Sequence, residues 1–403
     1  MSPAPNVKPR PLQGMLHGVR IVDMSTVVFG PYATQMMADL GADVIKVEPP
    51  EGDPMRRSAK SARTPGMSAA HMALNRGKRS MALDLKAPPD ADVLRALLKT
   101  ADVFVHNVRA AAIEKLGFGY QAVKALRPDI IYLHGVGFGR SGPYGDLQAY
   151  DDIIQAATGA TTLASRVDGN PRPRYIPSLI ADKVAGLHGA QAILAALVHR
   201  LRTGRGQYVE APMFEAFAHF MLEEHLGGQT FDPPVGPVGY ARQLDPERQP
   251  FPTADGYVCI VPYTDANLVR TFEILGGPEA TSSRFPTPRD RAQNMTELYR
   301  LMAELTPART TAEWVQAFRA ARIPAMPVTD LADVARDPHL DAVGFFRRRQ
   351  HPSEGAYIEM QPPIRYSDAT AFELRHPPLL GEHNEEIRSE LGPPRQVMTT
   401  AKT

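Results

Sequence analysis

Short apolar runs recur through the first third of the chain, each separated from the next by a stretch of helical spacing. That alternation leaves few folds open. Val19-Arg20-Ile21-Val22-Asp23-Met24 reads as a strand, Tyr32 to Leu40 as a helix with Gly30-Pro31 before it and Gly41 after it, and Asp43 to Glu48 as the next strand. The three make a βαβ unit, whose connection is right-handed and whose strands are parallel. Ser80–Leu85, Asp102–His106 and Asp129–Leu133 continue as strands, with helices at Asp90–Thr100 and Ala122–Leu126 between them. The expected class is α/β, an open and mostly parallel Rossmann-like sheet. Ligands then belong outside the strands' carboxyl ends, where Ser25 to Phe29, Glu48, Lys86, Asn107 and the loop Gly135 to Pro143 are expected to line one crevice. A nicotinamide cofactor is not expected, because Ser25 to Pro31 holds a single glycine where G-x-G-x-x-G is required.

A second stretch draws the chemistry. Pro177-Ser178-Leu179-Ile180-Ala181-Asp182 is a short apolar run ending in one carboxylate. After it, Leu187, Ala190, Leu194, Leu197 and Leu201 repeat at steps of three and four, so Lys183 to Arg202 reads as a helix that stops at Gly204. Spacing alone makes Asp182 the residue before the first turn, an N-cap contributing about 1 kcal/mol. Thr203 to Glu210 then turns into a strand. From about Gly227, prolines at 233, 234, 237, 250 and 252 break the pattern, and Gly256 to Val261 alternates with period two. The expected organisation is a large α/β domain over 1–225, a small α+β domain over 226–330, and a return segment over 331–403. The small domain takes helices near Asn267–Leu275, Met295–Leu305 and Ala312–Ala320, with Trp314 as core packing.

Several classes drop out. Net charge is +1 with both signs interspersed, which gives no electrostatic case for nucleic acid or an anionic membrane. No apolar run is read as approaching the ~20 residues of a membrane span, and Met1 to Gln13 lacks a signal-peptide core. The single cysteine, Cys259, forms no internal disulfide and is expected as a buried bystander in a strand. A cytoplasmic protein is expected. The histidines show no H-E-x-x-H, so no metal site is expected, and neither G-x-x-x-x-G-K-[ST] nor G-x-S-x-G occurs. The residues by themselves lead to an α/β enzyme or binding protein for an anionic small molecule.

The chain resembles the class III CoA-transferase family, which includes formyl-CoA transferase, carnitine CoA-transferases and the α-methylacyl-CoA racemases. The resemblance runs from Leu16-His17-Gly18-Val19-Arg20-Ile21-Val22-Asp23 through Leu40-Gly41-Ala42-Asp43-Val44-Ile45-Lys46-Val47-Glu48 and Asn75-Arg76-Gly77-Lys78-Arg79-Ser80. It continues through Ala101-Asp102-Val103 and Thr203-Gly204-Arg205-Gly206-Gln207 to Pro324–Val328 and Leu380-Gly381-Glu382-His383-Asn384. It implies that Asp182 is a nucleophile, passing an acyl group through an aspartyl anhydride and a β-aspartyl-CoA thioester. It also implies coenzyme A as part of the substrate, an acyl-CoA and a carboxylic acid as partners, and an interlocked homodimer. By the same resemblance Val28 and Phe29 lie over the pantetheine, and Leu83 to Lys86 lie at the adenine and phosphates. Asn107, Val108, Arg109 and Lys115 make further CoA contacts, while Gln148, Ala149, Tyr150 and Asp151 face the thioester. Met213 is placed in the strand behind the nucleophile. Three departures stand out. Val28 replaces a glutamine of formyl-CoA transferase. Pro49 replaces a CoA-binding arginine, leaving Arg56 to serve, and Arg56 or Arg242 is the candidate for the acceptor's carboxylate. Asp151 stands where the racemases have a histidine. An α-methylacyl-CoA racemase or epimerase is the second reading, and a CoA-binding protein without turnover the third.

Overall fold

The alternation of strand and helix is realised in the computed structural model, which describes residues 14–368 and 372–392. β1 (Arg20–Met24) leads through α1 (Phe29–Asp39) to β2 (Asp43–Glu48), and α2 (Ala69–Asn75) precedes β3 (Arg79–Ala82). α3 (Pro88–Leu98) leads to β4 (Val103–His106), and α4 (Ala110–Lys115) and α5 (Tyr120–Leu126) lead to β5 (Ile131–Val136). After α6 (Asp151–Ala157), α7 (Leu163–Asp168) and α8 (Ile180–Thr203) come β6 (Tyr208–Pro212) and α9 (Met213–His225). The six strands form one sheet in the order β3-β2-β1-β4-β5-β6, and every pairing is parallel. The order reverses between β1 and β4, and a reversal of this kind opens a crevice at the strands' carboxyl ends.

The two faces of the sheet differ in kind. Side chains alternate along a strand, so Val22, Met24, Ile45, Val47, Met81 and Phe104 face one way. They pack with Leu94, Leu97 and Leu98 of α3 and Val123 of α5 in an all-apolar core. The opposite face meets α1 and α8 and carries charge. Parallel register sets Asp23 beside Lys46 and Lys46 beside Ser80, all three with no solvent exposure. Lys78 donates to Asp23 Oδ2 at 3.0 Å and to Thr34 Oγ1 of α1 at 2.8 Å. Lys46 donates to Asp53 Oδ2 at 2.9 Å. Burial alone would raise the Asp23 carboxyl; the ammoniums of Lys78 and Lys46 and the hydroxyls of Ser25 and Thr34 outweigh it and hold it at about 2.

α1 begins at Phe29, earlier than the expected Tyr32, because Pro31 then falls in the first turn, where its missing N–H costs nothing. α8 ends at Gly204, which is left-handed at φ +70° and donates its N–H to Arg200 O at 2.7 Å. By length and composition α8 is a helix able to cross a bilayer, contrary to the expectation that none would be. Its face bearing Ala181, Val184, Ala185, Ala190, Ile193 and Leu197 is buried, and the helix packs on α1, β5 and β6.

The chain divides into two compact units. Among the described residues the first takes in 14–160, 175–221, 342–368 and 372–392, the second 161–174 and 222–341. These divisions differ from those expected after residues 225 and 330. One falls inside α9, and the later one follows Val328, whose N–H is bonded to Tyr257 O at 3.0 Å. The second unit has an antiparallel sheet of β7 (Phe251–Pro252), β8 (Tyr257–Ile260) and β9 (Ala325–Pro327). Its helices include α7 and, further along the chain, α10 (Asp265–Leu275), α11 (Pro288–Gln293), α12 (Met295–Leu305) and α13 (Thr311–Ala320). Trp314 lies in its core and donates to Thr306 O at 2.6 Å. Cys259 is exposed rather than buried, since the alternation of β8 turns Val258 and Ile260 inward and Cys259 out. Beyond α14 (Pro338–Ala342), a hairpin of β10 (Phe346–His351) and β11 (Gly355–Met360) precedes α15 (Asn384–Leu391). The segment entering α15 covers the free edge of β3: Ser80 N donates to His383 Nδ1 at 3.2 Å and Ala82 N to Asn384 Oδ1 at 2.9 Å.

α1 and α8 approach closely at Gly186, where a Cβ would lie 3.0 Å from Phe29 O and 2.9 Å from Tyr32 Cδ1. Gly186→Ala is therefore expected to destabilise the protein by about 1–3 kcal/mol through overpacking, read as a lowered urea midpoint with an unchanged slope. An unchanged midpoint would show that the helices separate at no cost.

Candidate active site

Asp182 is not an N-cap. α8 starts two residues before it, at Ile180, with Leu179 as a cap whose side chain makes no capping bond. The capping carboxylate comes from elsewhere in the chain: Asp182 N donates to Oδ1 of Asp151, the first residue of α6, at 3.1 Å. Gln155, one turn along α6, donates from Nε2 to Asp151 Oδ2 at 2.6 Å and accepts at Oε1 from Ile176 N at 2.8 Å. The same Nε2 lies 3.2 Å from Ile176 O and Ser178 O, which pins the strap leading into α8. Asp151 thus satisfies the helix end, and the Asp182 carboxylate is released for other contacts.

Asp182 is buried, with 7% of the residue exposed. Burial, then the charge of Asp151 beside it, raise its pKa from 3.8 to about 6, against a backbone hydrogen bond from Phe29 that lowers it. Phe29 is the first residue of α1, so the donor stands at the positive end of that helix. A buried carboxylate facing such an N–H can attack a carbonyl, and the N–H can hold a negative oxygen that develops beside it.

The loop from Ser25 to Val28 brings further expected residues to this place. Asn107, at the end of β4, accepts Thr26 N at 3.0 Å and donates to Thr26 O at 2.9 Å. Val28 and Phe29 are buried behind it. Val108 O accepts from His134 Nε2 at 2.9 Å. Ala149 packs on Gly137 at the end of β5, and Tyr150, which precedes α6, is 63% exposed. Gln148 is exposed in the same loop. Lys86, Arg109 and Lys115 are exposed on segments that follow β3 and β4, whereas the Leu83 side chain is in the apolar core.

Other expectations are corrected. Met213 is the first residue of α9, not part of a strand, because β6 ends at Pro212 and Phe214 N turns to Gly137 O at 2.9 Å. Glu48 lines no crevice: its two oxygens hold Arg56 Nε at 2.7 Å and Nη2 at 2.6 Å, and both side chains are buried. Arg56 is accordingly committed and is no receptor for a substrate carboxylate. Arg242, in the second unit, is held by the hydroxyls of Tyr299 and Tyr240. Sequence reasoning passed over Asp53, Lys46, Lys78 and Gln155. The available signal was a lysine inside Asp43-Val44-Ile45-Lys46-Val47-Glu48, since a parallel strand between neighbours is buried on both faces and its charge must be paired. Among the described residues no group of three or more His, Cys, Asp or Glu side chains is arranged to hold a metal ion.

Comparison with known proteins bears on this geometry. The sequence profile of CoA-transferase family III matches residues 16–384. A succinate–glutarate CoA-transferase of Agrobacterium fabrum is 32% identical over 399 residues, covering 97% of this chain and 98% of that protein. A formyl-CoA:oxalate CoA-transferase of Streptomyces avermitilis is 31% identical over 402 residues, covering 94% and 95%. The crystal structure of a CaiB/BaiF family protein from Brucella suis superposes with a TM-score of 0.79 at 31% identity, covering 94% of this chain and all of that one.

The raised Asp182 pKa has a stability consequence of definite sign. The native state holds this proton up to about pH 6 and the unfolded chain releases it near 3.8. The contribution is therefore present below pH 4 and lost as pH rises through 6. Asp182→Asn, which removes the charge and keeps the shape, is expected to stabilise the protein by about 3 kcal/mol at pH 8 and by roughly half that at pH 5. Urea unfolding at the two pH values measures it, and equal stability of variant and wild type at pH 8 would contradict the raised pKa.

Proposed function

The chain belongs to CoA-transferase family III, and on that premise we propose that it moves CoA from an acyl-CoA to a carboxylic acid with Asp182 as the nucleophile. The observation carrying this reading is the buried Asp182 carboxylate opposed by the Phe29 N–H. An Asp182 oxygen attacks the thioester carbonyl, the C–S bond breaks, and CoA leaves as thiolate from a mixed anhydride. The thiolate attacks the aspartyl carbonyl and expels the donor's carboxylate, leaving a β-aspartyl-CoA thioester. The acceptor carboxylate attacks that thioester and releases thiolate again. Thiolate then attacks the acceptor's acyl carbon, and Asp182 departs as carboxylate. The Phe29 N–H, bonded to the Asp182 carboxylate, is placed to hold the oxyanion in the steps in which the aspartyl carbonyl is attacked. The anhydride conserves the thioester's activation, and the burial of Asp182 keeps water from it.

The relatives named above are a succinate–glutarate and a formyl-CoA:oxalate CoA-transferase, which supports a dicarboxylic acceptor for this chain. A homodimer is part of the reading. Its support is the apolar surface left on α8, where Leu187, Val198 and Leu201 are 52%, 54% and 83% exposed. The racemase reading requires two groups exchanging one proton. Asp182 has the pKa for it, but both oxygens of Asp151 are occupied, by Asp182 N and by Gln155.

With succinyl-CoA as donor and glutarate as acceptor, hydroxylamine added during turnover is expected to leave a mass increment on the Asp182 peptide. Asp182→Ala is expected to abolish exchange and retain CoA binding. Wild-type exchange in that variant would refute the nucleophile, and α-deuterium wash-in of a 2-methylacyl-CoA with no adduct would establish the racemase. Transfer is expected to rise with pH, with its midpoint near 6, and then to level off as Asp182 becomes fully ionised. Light scattering is expected to give twice the 44.1 kDa chain mass, and a monomer at working concentration would remove the dimer from the account.

A further inference from the structure

The loop that presents the Phe29 N–H is held in a conformation its own sequence resists. Val27 lies at φ +68°, in the left-handed region where a β-branched side chain is an outlier. Strain of this kind persists only where the surroundings over-determine it. Here each loop residue is gripped in turn. Ser25 N donates to Asp23 Oδ1 at 3.0 Å, Thr26 is held on both sides by Asn107, and Val27 N donates to Asp53 Oδ1 at 3.2 Å. Asp53 sits beyond β2 as the cap of the short turn Pro54–Arg57, where the same Oδ1 accepts Met55 N at 2.9 Å. Its Oδ2 takes Lys46 Nζ at 2.9 Å, and that ammonium also donates to Ser25 O at 2.9 Å. The side chains of Lys46 and Asp53 are 0% and 1% exposed. One buried ion pair therefore holds the Ser25 carbonyl and the Val27 amide at once, on either side of the strained turn.

We propose that Asp53, backed by Lys46, is a positioning residue for acyl transfer: by holding Val27 left-handed it keeps the first amide of α1 aimed at the Asp182 carboxylate. The proposal rests on Asp182 being the nucleophile. A simpler role is available to Asp53, the capping of its own turn through Met55, and the two roles separate by what relieves the loss. Glycine occupies the left-handed region freely, so Val27→Gly lessens the need for the clamp but leaves the Pro54–Arg57 turn untouched.

The test uses the full chain and the variants Asp53→Glu and Asp53→Glu/Val27→Gly, with Asp53→Asn as the isosteric companion should the longer acid prevent folding. Asp53→Glu keeps the charge against Lys46 and displaces the acceptor. It is expected to lower kcat about a hundredfold, the scale of losing one oxyanion donor, with KM for succinyl-CoA changed less than threefold. The double variant is expected to regain at least tenfold of that loss. In ligand-free protein labelled with ¹³C at aspartate, the Asp182 carboxyl is expected to titrate higher in Asp53→Glu than in wild type, because the Phe29 N–H has been withdrawn. Asp151, the charged group facing Asp182, is the same in every variant. An unmoved Asp182 titration, or a kcat loss that follows thermal stability and is not relieved by Val27→Gly, would overturn the proposal. Should Asp182→Ala keep its activity, the nucleophile reading fails instead, and the titration still decides what Asp53 does.

Discussion

Charges buried on one face of the sheet hold the end of the fold that carries the candidate site in place. Lys78 with Asp23, Lys46 with Asp53 and Arg56 with Glu48 are three ion pairs with almost no solvent contact. Desolvation takes back most of what such pairs gain, so they add little to stability compared with apolar residues of the same volume. Removing one partner is another matter, since an unpaired buried charge costs about 3–5 kcal/mol. Their effect is geometric. Lys78 ties Thr34 and Pro31 O of α1 to β1, and Lys46 ties the loop between them to the end of β2. The start of α1 is consequently set by strands whose own positions are fixed by the parallel ladder.

The buried Asp182 carboxylate depends on a division of labour between two aspartates. A helix end demands acceptors for its free N–H groups, and an acid in the first turn would ordinarily be drawn into that task. Asp151 takes it over from α6, held by Gln155. Asp182 is then left buried, next to a like charge, with the Phe29 amide as the contact that lowers its pKa. An uncomfortable carboxylate in the resting protein is what a weak nucleophile needs. Under the proposed nucleophilic role, folding energy given up at Asp182 would reappear as reactivity, a trade common at active sites.

The legible parts of the fold were those governed by local periodicity. β2 runs over the expected Asp43–Glu48 and α12 over Met295–Leu305, because burial on regular faces leaves its period in the residues. Helix starts were less legible. Phe29 and Ile180 begin their helices earlier than spacing suggested, the first because Pro31 suits a first turn and the second because its cap comes from Asp151 of α6. Met213 was misplaced and Cys259 misjudged for want of knowing which strand ends where and which face is covered.

By itself the sequence determined the α/β class, the parallel ladder and Asp182 as a candidate, because each is encoded in neighbours a few residues apart or in motifs held in order along the chain. The pairing of Arg56 with Glu48, the transfer of the cap from Asp182 to Asp151 and the clamp of Asp53 on Val27 were decided only in three dimensions. Each joins residues whose separation along the chain carries no periodic signal. Charge, unlike apolar area, is satisfied by one partner at one distance, and which partner arrives depends on how the strands are ordered in the sheet.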